Sequence, residues 1–207
     1  MTNTASLVPT IKALEYLFEV LNTYLFGGKL ERPVITASPT KRQGVLGWFT
    51  CWKAWKEDGT DGYYEINVCS ESLSLPLYDV IGILLHEMVH LFCMMNGIQD
   101  CSRNGYYHNT RFREIAEAHG LNCERDKTYG WALTKLTDAT AAWLKEKYGS
   151  CSNAFPIFRD SSCKTSSRVS SYRKYVCPNR CVNVGATKEA YVICGICKST
   201  LQLQSKK

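Results

Sequence analysis

The sequence lacks the features that mark exported and membrane-spanning proteins. None of its apolar runs reaches the roughly 18 residues that a membrane helix requires. The first residues, MTNTASLVPTIKALEYLFEV, contain no basic leader region, no uninterrupted apolar stretch and no cleavage site, so they do not predict a signal peptide. We therefore expect an intracellular, cytoplasmic protein with no membrane partner, and association with the nucleoid stays open.

Internal repeats are also absent, and the overall composition is ordinary. No segment of roughly 20–50 residues recurs along the chain. The chain has 207 residues, of which 45% are hydrophobic and 21% charged, as in many globular proteins. This length suffices for one sizeable domain with a small appendage, which we expect to be a monomer.

Disulfides are not expected, although the chain has eleven cysteines. Their number is odd and no export signal accompanies them, so clustered cysteines indicate metal binding instead. One such cluster consists of Cys177, Cys181, Cys194 and Cys197. The other seven are scattered, and we interpret them as small apolar packing residues: Cys51, Cys69, Cys93, Cys101, Cys123, Cys151 and Cys163.

The positive charge is concentrated near the C-terminus. The chain carries a net charge of +6. Residues 151–207 contain ten lysines and arginines against two acidic residues, a net charge of +8, whereas residues 1–150 have a net charge of −2. This asymmetry favours a polyanionic partner for the last quarter of the chain, nucleic acid above all. A solvated basic tail without a partner is the alternative.

Apolar spacing and turn residues predict an α+β fold. Helical spacing covers residues 8–25, 76–97, 110–120 and 131–149. The run RPVITAS is extended, and the segments GVLGWFTCWKAW and YYEINVCS predict two strands of a hairpin around the polar turn KEDGTDG. The sequence therefore predicts helices combined with a small antiparallel sheet.

Composition divides the chain into three parts. Residues 1–149 contain the predicted helices and hairpin. Residues 150–171 include eight serines and several basic residues with little periodicity, which is typical of a linker. Residues 172–207 contain the cysteine cluster and predict a small zinc ribbon.

The segment LLHEMVH places three polar residues inside an apolar helix. His86 and His90 are separated by about 40° around a helix, so they lie on one face, one turn apart, and can bind one Zn²⁺. Glu87 projects about 100° away from His86, toward a water molecule at the metal. The alternative is a core helix whose polar residues form hydrogen bonds without a metal. Burying these residues without such partners costs roughly several kcal/mol.

A catalytic zinc with three protein ligands needs one more residue from elsewhere in the chain. His108 precedes the third predicted helix and is the preferred candidate. His119 shares the apolar face of that helix and is more typical of a packing or capping residue. Glu114 and Glu117 are the carboxylate alternatives.

The C-terminal cysteines follow the pattern C-x₃-C, twelve residues, then C-x₂-C. Two such pairs on short loops can present four thiolates to one Zn²⁺. Four protein ligands close the coordination sphere, so this zinc is expected to be structural and necessary for folding. Four unrelated buried cysteines are the alternative.

Basic and aromatic residues alternate around the cysteine cluster. Arg173, Lys174 and Arg180 are candidates for binding phosphates. Tyr175 and Tyr191 are candidates for stacking on the bases of a single strand. The alternative for the two tyrosines is that they form the small core of the ribbon.

Residues 8–125 resemble the SprT-like family of zinc proteases. The matching features are, in chain order, YLFGGKLERPVI after the first helix, the hairpin with GVLGWF and YYEINV, the LLHEMVH helix, and a later histidine before a helix. The resemblance implies a zincin-like fold, with His86, His90 and His108 as zinc ligands and Glu87 as the general base. Many members also carry a C-terminal zinc ribbon.

The hypothesis from the sequence is a zinc-dependent endopeptidase with one catalytic and one structural zinc ion. The resemblance implies protein substrates that are bound or crosslinked to DNA, single-stranded or damaged, as in DNA–protein crosslink repair. A non-catalytic, zinc-containing adaptor that binds nucleic acid is one alternative, although the presence of Glu87 argues against it. The other is a general cytosolic metallopeptidase that does not depend on DNA.

Overall fold

The first helix covers the residues whose apolar spacing predicts it. In this computed structural model, which describes residues 5–42, 44–148, 155–160 and 172–204, helix α1 spans Val8–Leu25. Leu14, Phe18 and Leu21 are buried on one face of α1, as their spacing predicts. The helix ends before Gly27 and Gly28, which adopt φ values of 64° and 72° that favour glycine.

Three short strands form the first sheet. They are β1 (Val34–Thr36), β2 (Gly47–Phe49) and β3 (Glu65–Val68), in the order β1-β3-β2. β2 and β3 are antiparallel, which confirms the predicted hairpin, and β1 joins β3 in parallel. β2 is therefore an edge strand, and no strand among the described residues pairs with its outer side.

Helix α2 (Leu77–Met95) is the centre of the core and carries the HEMVH motif. It packs against α1, against β2 and β3, and against elements that follow it in the chain. Its length and apolar composition would suffice to cross a membrane, but most of it is buried inside the protein, as in a core helix. Burial on nearly all sides explains why its sequence is apolar beyond a single stripe.

The remaining elements of this part of the chain form a second sheet and two helices. They are β4 (Cys101–Ser102), β5 (Tyr107–His108), α3 (Thr110–Ala118), β6 (Leu121–Asp126), β7 (Gly130–Leu136) and α4 (Asp138–Tyr148). The sheet has the order β4-β5-β7-β6. β5 pairs with β7 in parallel, and the other pairs are antiparallel.

The predicted helix over residues 131–149 is wrong in its first third. Residues 130–136 form β7, which pairs with β6 across a turn in which the Asp126 carboxylate accepts bonds from the backbone N–H groups of Thr128 and Tyr129. The helix begins only at Asp138, where the Thr137 hydroxyl accepts a bond from the backbone N–H of Thr140. Its end, predicted at Gly149, lies outside the described residues.

The chain divides into two compact units, Met1–Ser161 and Ser162–Lys207. The predicted linker, residues 150–171, is described only over residues 155–160. Phe155 belongs to the hydrophobic core of the first unit, and Arg159 forms an ion pair with Glu71. The first unit therefore includes these six residues. The α+β class of the fold is confirmed. The prediction of one small antiparallel sheet is wrong, because this unit has two sheets and each contains a parallel pair.

The second unit contains a three-stranded antiparallel sheet. It consists of β8 (Arg173–Val176), β9 (Asn183–Ala186) and β10 (Gln202–Leu203), in the order β10-β8-β9. Outside these strands, Ile193 and Thr200 form a single antiparallel bridge. Tyr175, Cys177, Cys194 and Leu201 form the small core.

Candidate metal centres

Three imidazoles from distant parts of the sequence converge in the first unit. The Nε2 atom of His86 lies 3.2 Å from that of His90 and 3.1 Å from that of His108, and the latter two are 3.1 Å apart. The three nitrogen atoms form a nearly equilateral triangle. This group can hold a metal ion.

Two elements bring the three histidines together. Helix α2 places His86 and His90 one turn apart, and strand β5 supplies His108, whose backbone N–H donates to the carbonyl of Tyr129 over 2.9 Å. β5 meets β7 at Gly130, where a Cβ atom would lie only 2.1 Å from the carbonyl oxygen of His108. Glycine at position 130 therefore permits the close approach that positions the third histidine.

A phenyl ring supports all three imidazoles from α3. The Phe112 ring is fully buried, and its centroid lies 4.8 Å from those of His86 and His90 and 4.6 Å from that of His108. Asn109 caps this helix by accepting bonds from the backbone N–H groups of Arg111 and Phe112. Asn109 directly follows His108, so the cap fixes the first turn of α3, and this turn carries the Phe112 ring.

Hydrogen bonds at the opposite ring nitrogens determine which atoms carry protons. His108 Nδ1 lies 3.2 Å from the carbonyl oxygen of Tyr129 and His90 Nδ1 lies 2.5 Å from the carboxylate of Asp100. A carbonyl and a carboxylate accept hydrogen bonds, so both Nδ1 atoms donate. In the neutral rings both Nε2 atoms then present lone pairs to each other, which repel unless a cation lies between them.

The electrostatics of the cluster favour neutral rings at two positions. Burial, with repulsion from the neighbouring imidazoles, holds the pKa of His86 well below its usual range. Burial and the charge on His90 lower the pKa of His108 to about 4. Burial also opposes charge on His90, but Asp100 and Glu87 outweigh it and raise its pKa. His86 and His108 are therefore favoured as neutral imidazoles, the form whose lone pairs bind a metal ion.

Glu87 is a buried carboxyl group next to this cluster. Its side chain lies on the same turn of α2 as His86 and is 6% exposed. Burial raises its pKa to about 7, an effect that His90 partly offsets and Asp100 reinforces. No described cation forms an ion pair with Glu87, so its proton-accepting oxygen atoms are not committed to a salt bridge.

The other candidates for a third ligand lie away from the cluster. His119 is packed between the rings of Phe26 and Phe92, and its Nδ1 is bonded to the carbonyl of Ile115. Glu114 and Glu117 are exposed, and Glu117 forms an ion pair with Arg113. The structure thus brings His108, and none of these three, to the two histidines of the motif.

The edge strand β2 passes directly beside Glu87. A Cβ atom on Gly47 would lie 3.1 Å from Oε1 of Glu87, 2.9 Å from the side chain of Ile83 and 2.8 Å from the carbonyl of Asn67. Glycine at this position therefore allows the strand to approach the carboxyl group. The carbonyl of Leu46 and the N–H of Thr50 form hydrogen bonds toward the β3 side of the strand. Successive residues of a strand direct their backbone N–H and carbonyl groups to opposite sides, so those of Gly47 and Phe49 point away from β3.

Replacing Gly47 with alanine should therefore lower any activity that depends on Glu87. We expect a drop of about tenfold or more, because the added methyl group displaces either β2 or the carboxyl group, and misplacement by about 1 Å is costly. Metal content should stay constant. Gly82→Ala is the control, since its Cβ would meet only Leu136 at 3.9 Å. Equal activities of the two variants would contradict the role of this close approach.

The second candidate metal centre consists of four thiols. The sulfur atoms of Cys177, Cys181, Cys194 and Cys197 all lie within 4.8 Å of one another, and those of Cys177 and Cys197 are 3.4 Å apart. Cys177 and Cys194 are fully buried. The group can hold a metal ion.

Two tight turns present these thiols. Arg180 and Lys198 adopt φ values of 57° and 61°, and each stands directly beside a cysteine of the group. Hydrogen bonds from Asn179 and from Ser199 lower the pKa of Cys197 to about 5, which favours its thiolate, the form that binds metal. The Lys198 ammonium group donates to the carbonyl of Gly195 over 3.1 Å within the second turn.

The scattered cysteines mostly behave as packing residues. Cys69 and Cys93 are fully buried, and Cys101 and Cys123 are partly buried. Cys51 is exposed, which corrects the prediction for that residue: it lies beside the outward-facing β2 and contributes nothing to the core. Cys151 and Cys163 lie outside the described residues.

Of the five residues predicted to contact nucleic acid, four are exposed and one is buried. Arg173, Lys174 and Arg180 are exposed on the second unit, and the ring of Tyr191 is 79% exposed. Tyr175 is 5% exposed, and its hydroxyl accepts a bond from the backbone N–H of Ala190. The prediction that Tyr175 stacks on bases is therefore wrong, because its ring forms the core of the unit.

The groups that hold the three histidines were not predicted from the sequence. Asp100 bonds to His90, the Thr134 hydroxyl lies 3.0 Å from Nδ1 of His86, and the Tyr129 carbonyl bonds to His108. A hydroxyl on a strand and a backbone carbonyl leave no signature in the sequence. The only signal for Asp100 is its position in the polar segment between the motif helix and His108.

Comparisons with known proteins do not identify the chain. No protein-family model, curated protein or solved structure matches it. The interpretation of the two centres therefore rests on their geometry and on their chemistry.

Proposed function

We propose that the protein is a zinc-dependent endopeptidase of the SprT-like type, with a zincin-like catalytic unit and a zinc ribbon. The observation that carries the proposal is the position of Glu87, a buried carboxyl group beside three convergent imidazoles and beside β2, an edge strand within the described part of the chain. A purely structural metal site has no use for such a carboxyl group. It also has no use for a neighbouring strand edge.

The histidine cluster fits zinc. Ligands at about 2.0–2.1 Å in a tetrahedron lie about 3.3–3.4 Å apart, and the Nε2 atoms lie 3.1–3.2 Å apart. Three imidazoles with one open position are typical of catalytic zinc sites, whereas magnesium and calcium prefer oxygen ligands. In the second unit, four thiolates are typical of a closed structural zinc site.

Peptide hydrolysis requires a base, an electrophile and a bound substrate. A zinc ion held by His86, His90 and His108 would polarise the scissile carbonyl and acidify water. Glu87 accepts the proton of the attacking water and delivers it to the leaving amine. Burial of Glu87 keeps competing solvent away from the carboxyl group during this transfer.

The edge strand β2 provides a means of binding the substrate. An extended peptide can add to an unpaired strand edge through main-chain hydrogen bonds, which do not depend on the side chains of the peptide. The outward N–H and carbonyl groups of Gly47 and Phe49 are available for this pairing. A peptide bound there passes close to Glu87, because Gly47 approaches the carboxyl group so closely.

DNA-bound or DNA-crosslinked proteins are the proposed substrates, with single-stranded or damaged DNA as the partner. The described part of the second unit carries five exposed cations and one acidic residue, an arrangement that suits phosphates: Arg173, Lys174, Arg180, Lys188 and Lys198, with Glu189. Tyr191 adds an exposed ring that can stack on a base. The second unit is therefore proposed to deliver the protease to nucleic acid.

Cleavage assays with and without single-stranded DNA test the proposal against its two alternatives. DNA-stimulated cleavage of a DNA-binding protein supports it. Equal cleavage under both conditions would instead identify a general peptidase. DNA binding without cleavage, in protein that contains both metals, would identify an adaptor.

Neutralising Arg173, Lys174 and Arg180 together should weaken DNA binding and make it less sensitive to salt. Each phosphate contact that is lost reduces counterion release, so the slope of log K against log salt should fall by about one per contact. Fluorescence anisotropy with a single-stranded oligonucleotide measures both quantities. The matched control replaces Lys12, Lys29 and Lys145 of the first unit. If both triple variants bind alike, the basic second unit is only a solvated surface.

A further inference from the structure

We propose that Asp100 is a positioning residue for the metal bound by the three histidines. It fixes the tautomer and the orientation of His90 and supplies a negative charge behind that ligand. The proposal rests on the metal site of the proposed function, but it does not depend on peptidase activity.

The contact between Asp100 and His90 is a hydrogen bond in a sheltered place. Oδ2 of Asp100 lies 2.5 Å from Nδ1 of His90, and the two side chains are 17% and 14% exposed. Charge-assisted hydrogen bonds are shorter and stronger than neutral ones, and this pair is screened from bulk water. A proton held at Nδ1 leaves the lone pair of Nε2 free for the metal.

A second metal ion between these two groups is excluded by the same distance. His90, Asp100 and Cys101 have the composition of a metal site, and their ligand atoms lie within 4.8 Å. Two ligands of one tetrahedral zinc ion, each at about 2.0–2.1 Å, lie about 3.3–3.4 Å apart. The 2.5 Å separation of Nδ1 and Oδ2 leaves space for a proton only.

The three histidines have unequal supports. His86 contacts the hydroxyl of Thr134 and His108 contacts the carbonyl of Tyr129, which are both neutral, whereas His90 contacts a carboxylate. A carboxylate raises the basicity of its imidazole more than a neutral partner does. His90 should therefore be the strongest of the three donors to the metal.

Backbone contacts hold Asp100 close to the strand that carries His108. The backbone N–H of Asn109 donates to the carbonyl of Asp100 over 2.9 Å, and Cys101, the next residue, pairs with His108 across β4 and β5. Asp100 thus belongs to the same hairpin as the third histidine. A shift of Asp100 would therefore move His108 as well, so the position of the carboxylate is coupled to the geometry of the three histidines.

Two thiols complete the surroundings of Asp100. The Cys101 sulfur and the Asp100 carboxylate lie within 4.8 Å of each other and of the His90 imidazole. Cys93 is fully buried and Cys101 is partly buried. Among the ion pairs of the described residues, Asp100 takes part in one, with His90. Its charge is therefore directed at the metal ligand.

The test compares Asp100→Asn with Thr134→Val in the full chain. Asparagine keeps the size of the side chain and removes its charge, while valine removes the neutral support of His86. Zinc affinity is measured by competition with a chromogenic chelator, and zinc at the four cysteines is the internal standard. We expect about 10- to 100-fold weaker binding at the histidines for Asp100→Asn and a clearly smaller loss for Thr134→Val.

Two further readouts separate positioning from a general structural role. Cobalt substituted at the histidines should show a shifted visible absorption spectrum in Asp100→Asn and not in Thr134→Val, because the donor strength of His90 changes. Unfolding of the metal-free proteins should occur at similar temperatures. Affinity within about twofold of the wild type, or an equal loss in both variants, overturns the proposal. A wild-type chain without zinc at the histidines would instead overturn the proposed function.

Discussion

Replacing Glu87 with glutamine should lower the rate of peptide cleavage by about two to four orders of magnitude while zinc stays bound. Glutamine keeps the shape of the side chain but cannot accept the proton of the attacking water. Glu87 is not needed as a ligand, because the three Nε2 atoms already form a complete triangle without it. The loss should therefore appear in turnover and leave the metal content unchanged.

The control for this experiment is Glu114→Gln, which makes the same chemical change at an exposed position. Cleavage is followed with a protein substrate, and zinc is measured by elemental analysis on the same samples. Unchanged turnover in Glu87→Gln would contradict its role as the base. Loss of zinc would show that Glu87 binds the metal or supports a ligand.

Replacing Cys194 with serine should unfold the second unit and leave the first intact. Within residues 172–204, the core of this unit contains four buried residues, and two of them are cysteines of the metal group. So small a core cannot offset the loss of a bound structural zinc ion, which contributes about 10–16 kcal/mol in small zinc modules. Removing one thiolate opens the coordination sphere, so the metal and the fold should be lost together.

Limited proteolysis of the full chain measures this effect directly. Cuts should appear within residues 172–204 of the variant, whereas the fragment that contains α1 to α4 should resist digestion. Cys51→Ser is the matched control, since Cys51 is exposed and lies outside both metal groups. A second unit that stays protease-resistant without its zinc would show that the four cysteines do not hold the fold.

Much of the first unit could be predicted because local signals agreed with its tertiary structure. The apolar spacing of α1 and its glycine stop agree with the observed helix, and so does the Asn109 cap of α3. The two histidines of α2 share a face because helix geometry requires it. Here local preference and packing favour the same structure.

Other features could not be predicted, because they depend on contacts between distant segments. The segment WALTKL has apolar residues at helical spacing, yet it pairs with β6 and forms a strand. Tyr175 alternates with basic residues, as a stacking residue would, yet the small core of the second unit needs its ring. Asp100 gives no periodic signal at all, and only the fold shows that it reaches His90.

The zinc content of the purified full chain and of two variants is the most direct test of the two metal centres. We expect two zinc ions per chain in the wild type, because three imidazoles and four thiols form separate groups. His108→Ala should lose the zinc ion of the first unit and keep that of the second, and Cys194→Ser should do the reverse. A wild-type chain with no zinc at the histidines, or His108→Ala with both ions retained, would contradict the account.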